Sequence, residues 1–434
     1  MGAYNSGFAA SLPRKAVSLV KLRPESPWTV VLLTMLVALG PLSTDLYLPS
    51  LPAIGQSFET DSGRVQLTLS VFLVGFAFSQ LVYGPLSDRF GRRPVLLGGL
   101  ALYAVASVLC MTVQTIEGLI AARFLQAVGA CVGPVLGRAV ARDIFPRDRV
   151  AQVLSYMAMA MALAPALGPA LGGYLQVLFG WQASFAILAV CGLLALFAVA
   201  VALPETNGRK DASATRPHRI LANYRTLAGD SVYRSHVLTH ALVFCGLFAF
   251  ISGSSFVLIE TVGLSPDRFG IAFGVIVLGY ILGSFVSARL TRRLGLERMI
   301  LLGLSVALAA ALPMAVLAFA APPNALAVIV PVAVFMAGAG MVLPNAMAAA
   351  LGPFPQMAGA ASALLGFVQM SAAAGVGVLV GQLSDGSARA MAVAISLGCL
   401  LALMNFLATR SRAFPQPVPA DAEVQDPVPS SRAS

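Results

Sequence analysis

The sequence predicts an all-α membrane protein of twelve transmembrane helices, arranged as two six-helix bundles. Of its 434 residues, 58% are hydrophobic and only 11% are Asp, Glu, Lys or Arg, against roughly 25% charged residues in a soluble domain. The apolar residues form runs of about 20, the length of helix that crosses about 30 Å of hydrocarbon. Because alternating barrel-type strands are absent, helices are the structure that satisfies every backbone group in lipid.

Breaks at charged residues, Gly and Pro delimit the spans. The predicted spans are residues 28–52, 65–87, 94–113, 117–138, 151–177, 181–203, 235–260, 267–288, 297–320, 325–350, 357–382 and 387–409. Spans 1 to 6 form a bundle over 28–203 and spans 7 to 12 a second bundle over 235–409. The other predicted segments are an N-terminal cytoplasmic segment (1–27), a polar cytoplasmic linker (204–234) and a Pro-, Ala- and Ser-rich disordered tail (410–434).

The distribution of basic residues predicts the orientation. With twelve spans, 24 of the 28 Lys and Arg residues lie on the side of the N-terminus, three lie on the other side and one, Arg123, lies inside a span. The positive-inside rule then places both termini in the cytoplasm. The basic start resembles a signal peptide, but its apolar run continues to about Pro52 without a cleavage site, so we interpret it as a retained first span.

An internal repeat relates the two bundles. The segment LSDRFGRRPVLL (86–97) aligns with LTRRLGLERMIL (290–301) at a constant offset of 204, which places Gly91 on Gly295. In each half the segment joins the second span to the third. Parallel six-helix repeats are typical of one transporter architecture.

Several function classes are disfavoured. The five cysteines all lie in apolar runs without paired spacing, so the sequence predicts neither a disulfide framework nor a metal site. Walker-type, HExxH, CxxC and G-x-S-x-G motifs are absent, so we expect no ATP-driven pump, no enzyme and no cofactor. The net charge of +10 follows the positive-inside pattern and does not indicate nucleic-acid binding.

Four motifs in the first half carry a family resemblance. They are STDLYLPSLP (43–52) on span 1, GPLSDRFGRRP (84–94) after span 2, RFLQAVG (123–129) on span 4 and APALGPALGG (164–173) on span 5. They resemble the major facilitator superfamily, drug:proton antiporter type, and its Bcr/CflA multidrug-resistance branch. The later stretches SFVLIE (255–260) and PNAM (344–347) are similar to that branch.

The loop after span 2 is expected to act as a structural gate, because that is its role in the family. Gly84 and Gly91 are expected where the backbone turns and where a neighbouring helix approaches closely. Asp88 is expected to accept from the start of another helix or to pair with an arginine. The basic residues of the loop, Arg89, Arg92 and Arg93, lie within reach of anionic headgroups. The alternative is a simple positive-inside anchor.

The motif on span 5 predicts a close helix contact at a bend. Gly168 and Gly172 form a small-xxx-small face that lets two helix backbones approach, and each proline removes a backbone donor. The resemblance implies that this element, which comprises Pro165, Gly168, Pro169, Gly172 and Gly173, helps to seal the pathway against proton leak.

Ionisable residues inside spans are costly and usually face a cavity or a partner. Counted from the outer helix ends at about 1.5 Å per residue, Asp45 and Arg123 lie at similar depths. We therefore predict that they face one cavity and interact, directly or through water, with protonation of Asp45 coupled to substrate binding. Asp45 as a rim cap and Arg123 as a structural residue are the alternatives. Glu260 is a second cavity carboxylate or an interfacial acid.

Other candidate cavity residues carry weaker signals. The polar candidates are Gln126, Asn345 and Gln369, for which interhelical hydrogen bonding is the alternative. The aromatic candidates are Tyr47, Phe248 and Phe256, for which core packing is the alternative. His240 either titrates near neutral pH or is a structural histidine.

The function predicted from these features is proton-driven efflux of small amphipathic compounds across the bacterial inner membrane by alternating access. Some relatives carry a further acid on helix 1, whereas residues 35–42 are uncharged here, so neutral or zwitterionic substrates are favoured over cations. A proton symporter or facilitator that imports a metabolite is the alternative, and a membrane sensor or scaffold would need an extra domain. The expected partners are a small drug-like molecule, protons and the lipid bilayer, and we expect a monomer.

Overall fold

The computed structural model describes residues 26–208, 210–322 and 324–413. Its helices in the first half are α1 (Pro27–Asp45), α2 (Leu51–Ser57), α3 (Ser62–Phe90), α4 (Arg92–Thr112), α5 (Ile116–Ile144), α6 (Arg147–Phe179) and α7 (Gln182–Ala202). Those that follow are α8 (Pro217–Gly229), α9 (Ser231–Ser255), α10 (Pro266–Ala320), α11 (Ala325–Leu351), α12 (Ala358–Gln382) and α13 (Arg389–Ala413). The fold is therefore all-helical, as predicted.

Helix lengths agree with the predicted number of spans. Eleven helical segments of the described chain are long and apolar enough to cross a membrane. One of them, α10, has 55 residues and leaves helical geometry at Gly295, where φ is 78°. At about 1.5 Å per residue it is more than twice as long as the hydrocarbon layer is thick, so it supplies spans 8 and 9. The aligned Gly91, with φ of 108°, precedes α4. A glycine at each repeated turn provides a backbone conformation that other residues rarely adopt.

The chain divides into two compact units. The first contains residues 26–60, Val71–Arg216 and Pro266–Gly270, and within it α1 packs on α5, α6 and α7. The second contains Asp61–Ser70, Pro217–Ser265 and residues 271–413, and within it α9 packs on α11, α12 and α13. Most of residues 28–203 lie in the first unit and most of residues 235–409 in the second, with short segments of α3 and α10 assigned to the other unit.

Span 1 is not the continuous helix 28–52 that we expected. Regular α-helix ends at Asp45, a 3₁₀ turn covers Leu48–Ser50, and α2 continues to Ser57. The reason is local, because Pro49 has no N–H to donate to the carbonyl of Asp45 four residues earlier. The break lies directly beside the one carboxylate of this span.

The predicted linker contains an unexpected helix. Residues 204–216 belong to the first unit, whereas α8 belongs to the second. There Leu227 of α8 joins a buried cluster with Tyr233, Ala350 and Ala361, and the Tyr233 hydroxyl donates to the Ala361 carbonyl at 2.6 Å. The tail predicted from residue 410 begins no earlier than 414, because α13 continues to Ala413. Residues 414–434 and 1–25 lie outside the described residues.

Candidate functional site

Asp45 is buried at the end of α1, with 2% of its surface exposed. Its Oδ1 accepts a hydrogen bond from the Thr44 hydroxyl at 3.1 Å. The neighbouring turn is held from another helix, since the Ser184 hydroxyl of α7 donates to the carbonyl of Leu46 at 3.3 Å. The sequence therefore places a carboxylate at a helix break inside the first unit, where the backbone departs from regular bonding.

Arg123 of α5 is fully buried. Its Nη1 donates to the carbonyl of Ser43 at 3.0 Å and to Gln126 Oε1 at 2.5 Å. The guanidinium carbon lies 4.3 Å from the ring centroids of both Tyr47 and Phe72. Aromatic faces attract a cation through their quadrupole, most strongly where water is excluded. Two aromatic rings and two oxygen atoms thus hold a cation inside the unit.

The guanidinium of Arg123 uses only part of its hydrogen-bonding capacity. The Nε and Nη2 atoms of Arg123 have no hydrogen-bond partner among the described residues. Arg123 and Asp45 form no ion pair within 4 Å in this part of the chain, so of the two predicted forms of their interaction, direct and through water, the direct one is not made. They are linked instead through the backbone, because the carbonyl that Arg123 bonds belongs to Ser43, two residues before Asp45. Their predicted role in proton coupling stays a prediction.

Gln126 completes this buried group, which also contains Tyr47. Its Nε2 donates to the Ser107 hydroxyl at 2.8 Å, while its Oε1 accepts from Arg123. Both polar ends of the amide are therefore engaged in bonds between or along helices. Tyr47 is buried with its ring on Arg123. The structure brings four predicted residues together in the first unit: Asp45, Tyr47, Arg123 and Gln126.

The glycines of α6 pack directly against the break after α1. A Cβ atom added to Gly168 would lie 3.0 Å from Cβ of Asp45, and one added to Gly172 would lie 1.8 Å from the carbonyl oxygen of Leu46. Pro165 and Pro169 lie inside α6, as predicted. A Cβ on Gly173 would lie 2.3 Å from the carbonyl oxygen of Pro266. The small-residue face of span 5 is thus a close contact with the segment that carries the buried carboxylate.

The charged side chains at the turn from α3 to α4 all have partners within the first unit. Asp88 accepts from Arg92 Nη1 at 2.6 Å, which is one of the two partners we predicted, and Arg92 Nε donates to Asp143 at 3.1 Å. Arg93 donates to the carbonyl of Ala200 at 2.6 Å and Arg89 to the hydroxyl of Thr215 at 2.7 Å. The arginines therefore fix this loop against α5, α7 and the linker.

The expectation for Gly84 was wrong in this structure. Gly84 lies inside α3, and a Cβ added to it would meet no atom of the described chain within 4 Å. Gly91 behaves as expected, because its φ of 108° turns the backbone and its side-chain position is taken by the carboxylate of Glu205. Only one of the two glycines is thus needed for the turn.

Comparison with known proteins decides the family. The sequence profile of the Major Facilitator Superfamily matches residues 33–378. The chain belongs to this superfamily. Its members are transporters rather than enzymes, and the resemblance seen in the motifs is confirmed.

Two curated relatives match almost the whole chain. The bicyclomycin resistance protein homolog of Haemophilus influenzae is 31% identical over 386 residues, which cover 88% of this chain and 96% of that protein. Multidrug resistance protein D of Escherichia coli is 31% identical over 381 residues, covering 87% and 93%. These matches confirm the resemblance to the Bcr/CflA branch and a multi-pass protein of the bacterial inner membrane.

Solved structures of the superfamily confirm the fold. A D-xylose-proton symporter matches with a TM-score of 0.71 at 14% identity, over 86% of this chain and 96% of that one. A bacterial homolog of the human lysosomal transporter Spinster matches with a TM-score of 0.67 at 17% identity, over 90% and 98%. At this level of identity the likeness concerns the fold alone.

The second unit of this superfamily member contains the remaining predicted residues. Phe248 and Phe256 are buried and Gln369 is half-buried. Asn345 Nδ2 donates to the Ser287 hydroxyl at 2.6 Å, and its Oδ1 accepts from Thr291 at 3.1 Å. Asn345 thus joins α11 to α10, which matches the interhelical alternative.

Two ionisable candidates of this unit differ in exposure. Glu260 is exposed in the π-helical turn Phe256–Thr261 that follows α9, and His240 is buried in α9 with its Nδ1 unpartnered among the described residues. Their functional roles stay predictions.

Sequence reasoning missed Glu205, which lies in the linker. Its carboxylate accepts from the backbone N–H groups of Arg92 at 2.8 Å and Arg93 at 3.2 Å, and from those of Thr206 and Asn207. The first two are N–H groups at the start of α4. The N-cap residue of α4 is Gly91, which has no side chain to accept a hydrogen bond from them. A carboxylate there also complements the helix dipole. The available signal was an acid two residues after span 6 in a segment with a net positive charge.

Replacement of Glu205 by Ala is expected to lower the free energy of unfolding by about 1 kcal/mol, the usual scale of an N-cap. The amides of Arg92 and Arg93 should exchange hydrogen faster, because they lose their acceptor. Hydrogen exchange with mass spectrometry measures this directly. Lys210→Ala, an exposed change in the same segment, serves as the control, and equal exchange in both variants would contradict the cap.

Proposed function

We propose that the chain is a proton-driven efflux transporter that exchanges protons for small neutral or zwitterionic amphipathic compounds. The observation that supports this proposal most directly is that two ionisable side chains, Asp45 and Arg123, are buried inside the first unit without forming an ion pair with each other. Buried ionisable residues within spans usually mark ion or substrate pathways. The names of the two relatives, which refer to bicyclomycin and multidrug resistance, favour export of drug-like molecules.

In this proposal Asp45 carries the proton. The positive charge of Arg123 is held in place by aromatic rings and by the Ser43 carbonyl, so loss or gain of a proton at Asp45 changes the local field beside a fixed cation. The close packing of Gly168 on Asp45 links that change to the position of α6 relative to α1. Coupling thus acts within the first unit, at the point where span 1 departs from helical geometry.

Substrate recognition is assigned to residues that border the predicted cavity. They are Tyr47, Gln126, Phe248, Phe256, Asn345 and Gln369, with Glu260 as a second carboxylate. Because Gln126 and Asn345 already make hydrogen bonds, a substrate that binds them replaces those bonds. We further propose that both termini are cytoplasmic, that the two bundles alternate access around the site, and that the transporter is a monomer.

Asp45→Asn is expected to abolish substrate-evoked proton movement. In inverted vesicles with an acidic interior, a pH-sensitive dye reports proton release when neutral or zwitterionic antibiotics are added to the unmodified protein. The Asn side chain keeps the shape of Asp45 but carries no titratable proton, so this response should disappear. Asp385→Asn, a matched change of an exposed acid between α12 and α13, should respond normally.

Two outcomes would contradict the proposal. An undiminished response in Asp45→Asn would remove Asp45 from the coupling and direct attention to Glu260. Substrate-evoked acidification of the vesicle interior would indicate symport, because a substrate gradient directed inward would then carry protons in the same direction.

A further inference from the structure

A basic groove in the second unit is unexplained by transport. It has a volume of about 400 Å³ and is lined by Ala288, Arg289, Leu290, Arg292 and Arg293. All three arginines are exposed, and the groove lies just before the turn at Gly295 where α10 leaves helical geometry. Arg292 and Arg293 follow Arg289 by three and four residues, so the three arginines lie on one face of the helix, and guanidinium groups gathered on one face can bind an anion.

The internal repeat shows that the second loop cannot form the Asp88–Arg92 ion pair of the first loop, because Arg292 and Leu296 stand at those two positions. In the first half, Asp88 pairs with Arg92, which also contacts Asp143. At the offset of 204, the position of Asp88 is occupied by Arg292. Within the described chain neither Arg292 nor Arg293 makes a side-chain hydrogen bond or ion pair. The second loop thus carries an unpaired cation at the position where the first loop carries an anion paired with an arginine.

An apolar stripe leads to the groove along α10. Leu278, Leu282 and Phe285 are 53%, 62% and 54% exposed. Together with Arg289 they follow spacings of four, three and four residues, so they lie on one helix face. The Arg289 guanidinium stacks on the ring of Phe285, with 4.6 Å from its carbon to the ring centroid. An exposed apolar face on a membrane-spanning helix contacts lipid acyl chains, and here it ends at the cations.

We propose that Arg289, Arg292 and Arg293 bind the headgroup phosphate of an anionic phospholipid whose acyl chain lies on Leu282 and Phe285. The order of the features along α10, apolar stripe and then guanidinium cluster, matches the order of acyl chain and phosphate in a phospholipid. A net negative lipid is preferred, because no carboxylate of the described residues is bound to these arginines to offset their charge or to attract a choline group. In the proposed orientation this lipid belongs to the cytoplasmic leaflet.

The test uses the purified full-length chain in neutral detergent, with bound lipids counted by native mass spectrometry. Phosphatidylglycerol should bind more tightly than phosphatidylcholine. Each arginine near a lipid surface contributes about fivefold in affinity. The double variant Arg292→Gln/Arg293→Gln should therefore bind its tightest-bound phosphatidylglycerol molecule with about 25-fold lower affinity. Because both side chains are exposed, thermal stability should not change. Arg268→Gln, an exposed change near the first residue of α10, should bind like the unmodified chain.

Three results would overturn the proposal. Equal phosphatidylglycerol affinity in the double variant and in the unmodified chain would place the lipid elsewhere. Equal binding of phosphatidylcholine would show that the apolar stripe alone accounts for binding, without a contribution from the headgroup charge. Displacement of phosphatidylglycerol by inorganic phosphate at the same concentration would show a free-anion site without a role for the acyl chain. None of these readouts depends on transport, so failure here leaves the proposed efflux function untouched.

Discussion

Arg123→Met is expected to abolish substrate-evoked proton movement while the protein remains folded. The methionine side chain fits the space between Tyr47 and Phe72, where a thioether makes favourable contacts with aromatic rings. Two opposing terms govern stability. The Ser43 carbonyl loses this donor, at about 1–3 kcal/mol for a buried group left unsatisfied, and the Gln126 amide oxygen keeps only the weak thiol donor of Cys110 at 3.9 Å. Removal of a buried cation that has no ion-pair partner among the described residues recovers its desolvation cost.

Because these terms offset, the thermal midpoint should stay within about 4 °C of the unmodified chain, which is the shift produced by roughly 1 kcal/mol in a domain of this size. The proton response in inverted vesicles should fall to that of vesicles without the protein. Leu125→Met, an exposed and nearly isosteric change on the same helix, provides the control. Normal transport by Arg123→Met would show that the arginine is structural, and unfolding of this variant would show that the aromatic rings require the cation.

Gly172→Ala is expected to destabilise the first unit strongly. The added methyl group would lie 1.8 Å from the carbonyl oxygen of Leu46 and 2.8 Å from its carbon, whereas a carbon and an oxygen in contact are normally separated by about 3.3 Å or more. The backbone of Leu46 cannot rotate away from the methyl group as a side chain could, so α6 and the turn after α1 must move apart. Overpacking of this kind typically costs about 1–3 kcal/mol, and the thermal midpoint should fall by several degrees.

Two further glycines make the comparison quantitative. Gly98→Ala on α4 is the control, because its added Cβ meets no described atom within 4 Å and alanine is favoured over glycine in a helix. Gly168→Ala, with 3.0 Å to Cβ of Asp45, should have an intermediate effect on stability. Thermal unfolding of the purified variants in detergent measures the series. If Gly172→Ala and Gly98→Ala unfold at the same temperature, the close contact between α6 and span 1 is not made.

Much of the architecture follows from local patterns along the chain. Hydropathy runs and basic breaks predicted twelve spans, and α10 supplies two of them across the turn at Gly295. The repeat at an offset of 204 predicted that turn, since glycines with positive φ lie at both Gly91 and Gly295. The break after Asp45 also has a local cause in Pro49, although the length of the apolar run alone predicted a continuous helix there.

The partners within the site were harder to predict. The depths of Asp45 and Arg123 suggested an interaction, direct or through water, yet Arg123 is held by Tyr47, Phe72 and the carbonyl of Ser43. Depth along a helix states how far into the membrane a residue lies, but not which way its side chain turns. Glu205 was missed for a related reason, because the N–H groups that it caps lie more than 100 positions earlier in the chain.

By itself the sequence determined that the protein is a multi-pass helical membrane protein with two related halves, and it identified the family through four motifs. These properties depend on the length and polarity of each segment and on the backbone chemistry of Gly and Pro, which act over a few residues. Only the tertiary structure decided that Gly172 abuts the carbonyl of Leu46, that a Cβ on Gly84 would meet no described atom within 4 Å, and that Arg292, at the position of the paired Asp88, makes no ion pair within the described chain. These are contacts between faces of separate helices, and they are set by packing geometry that no local pattern records.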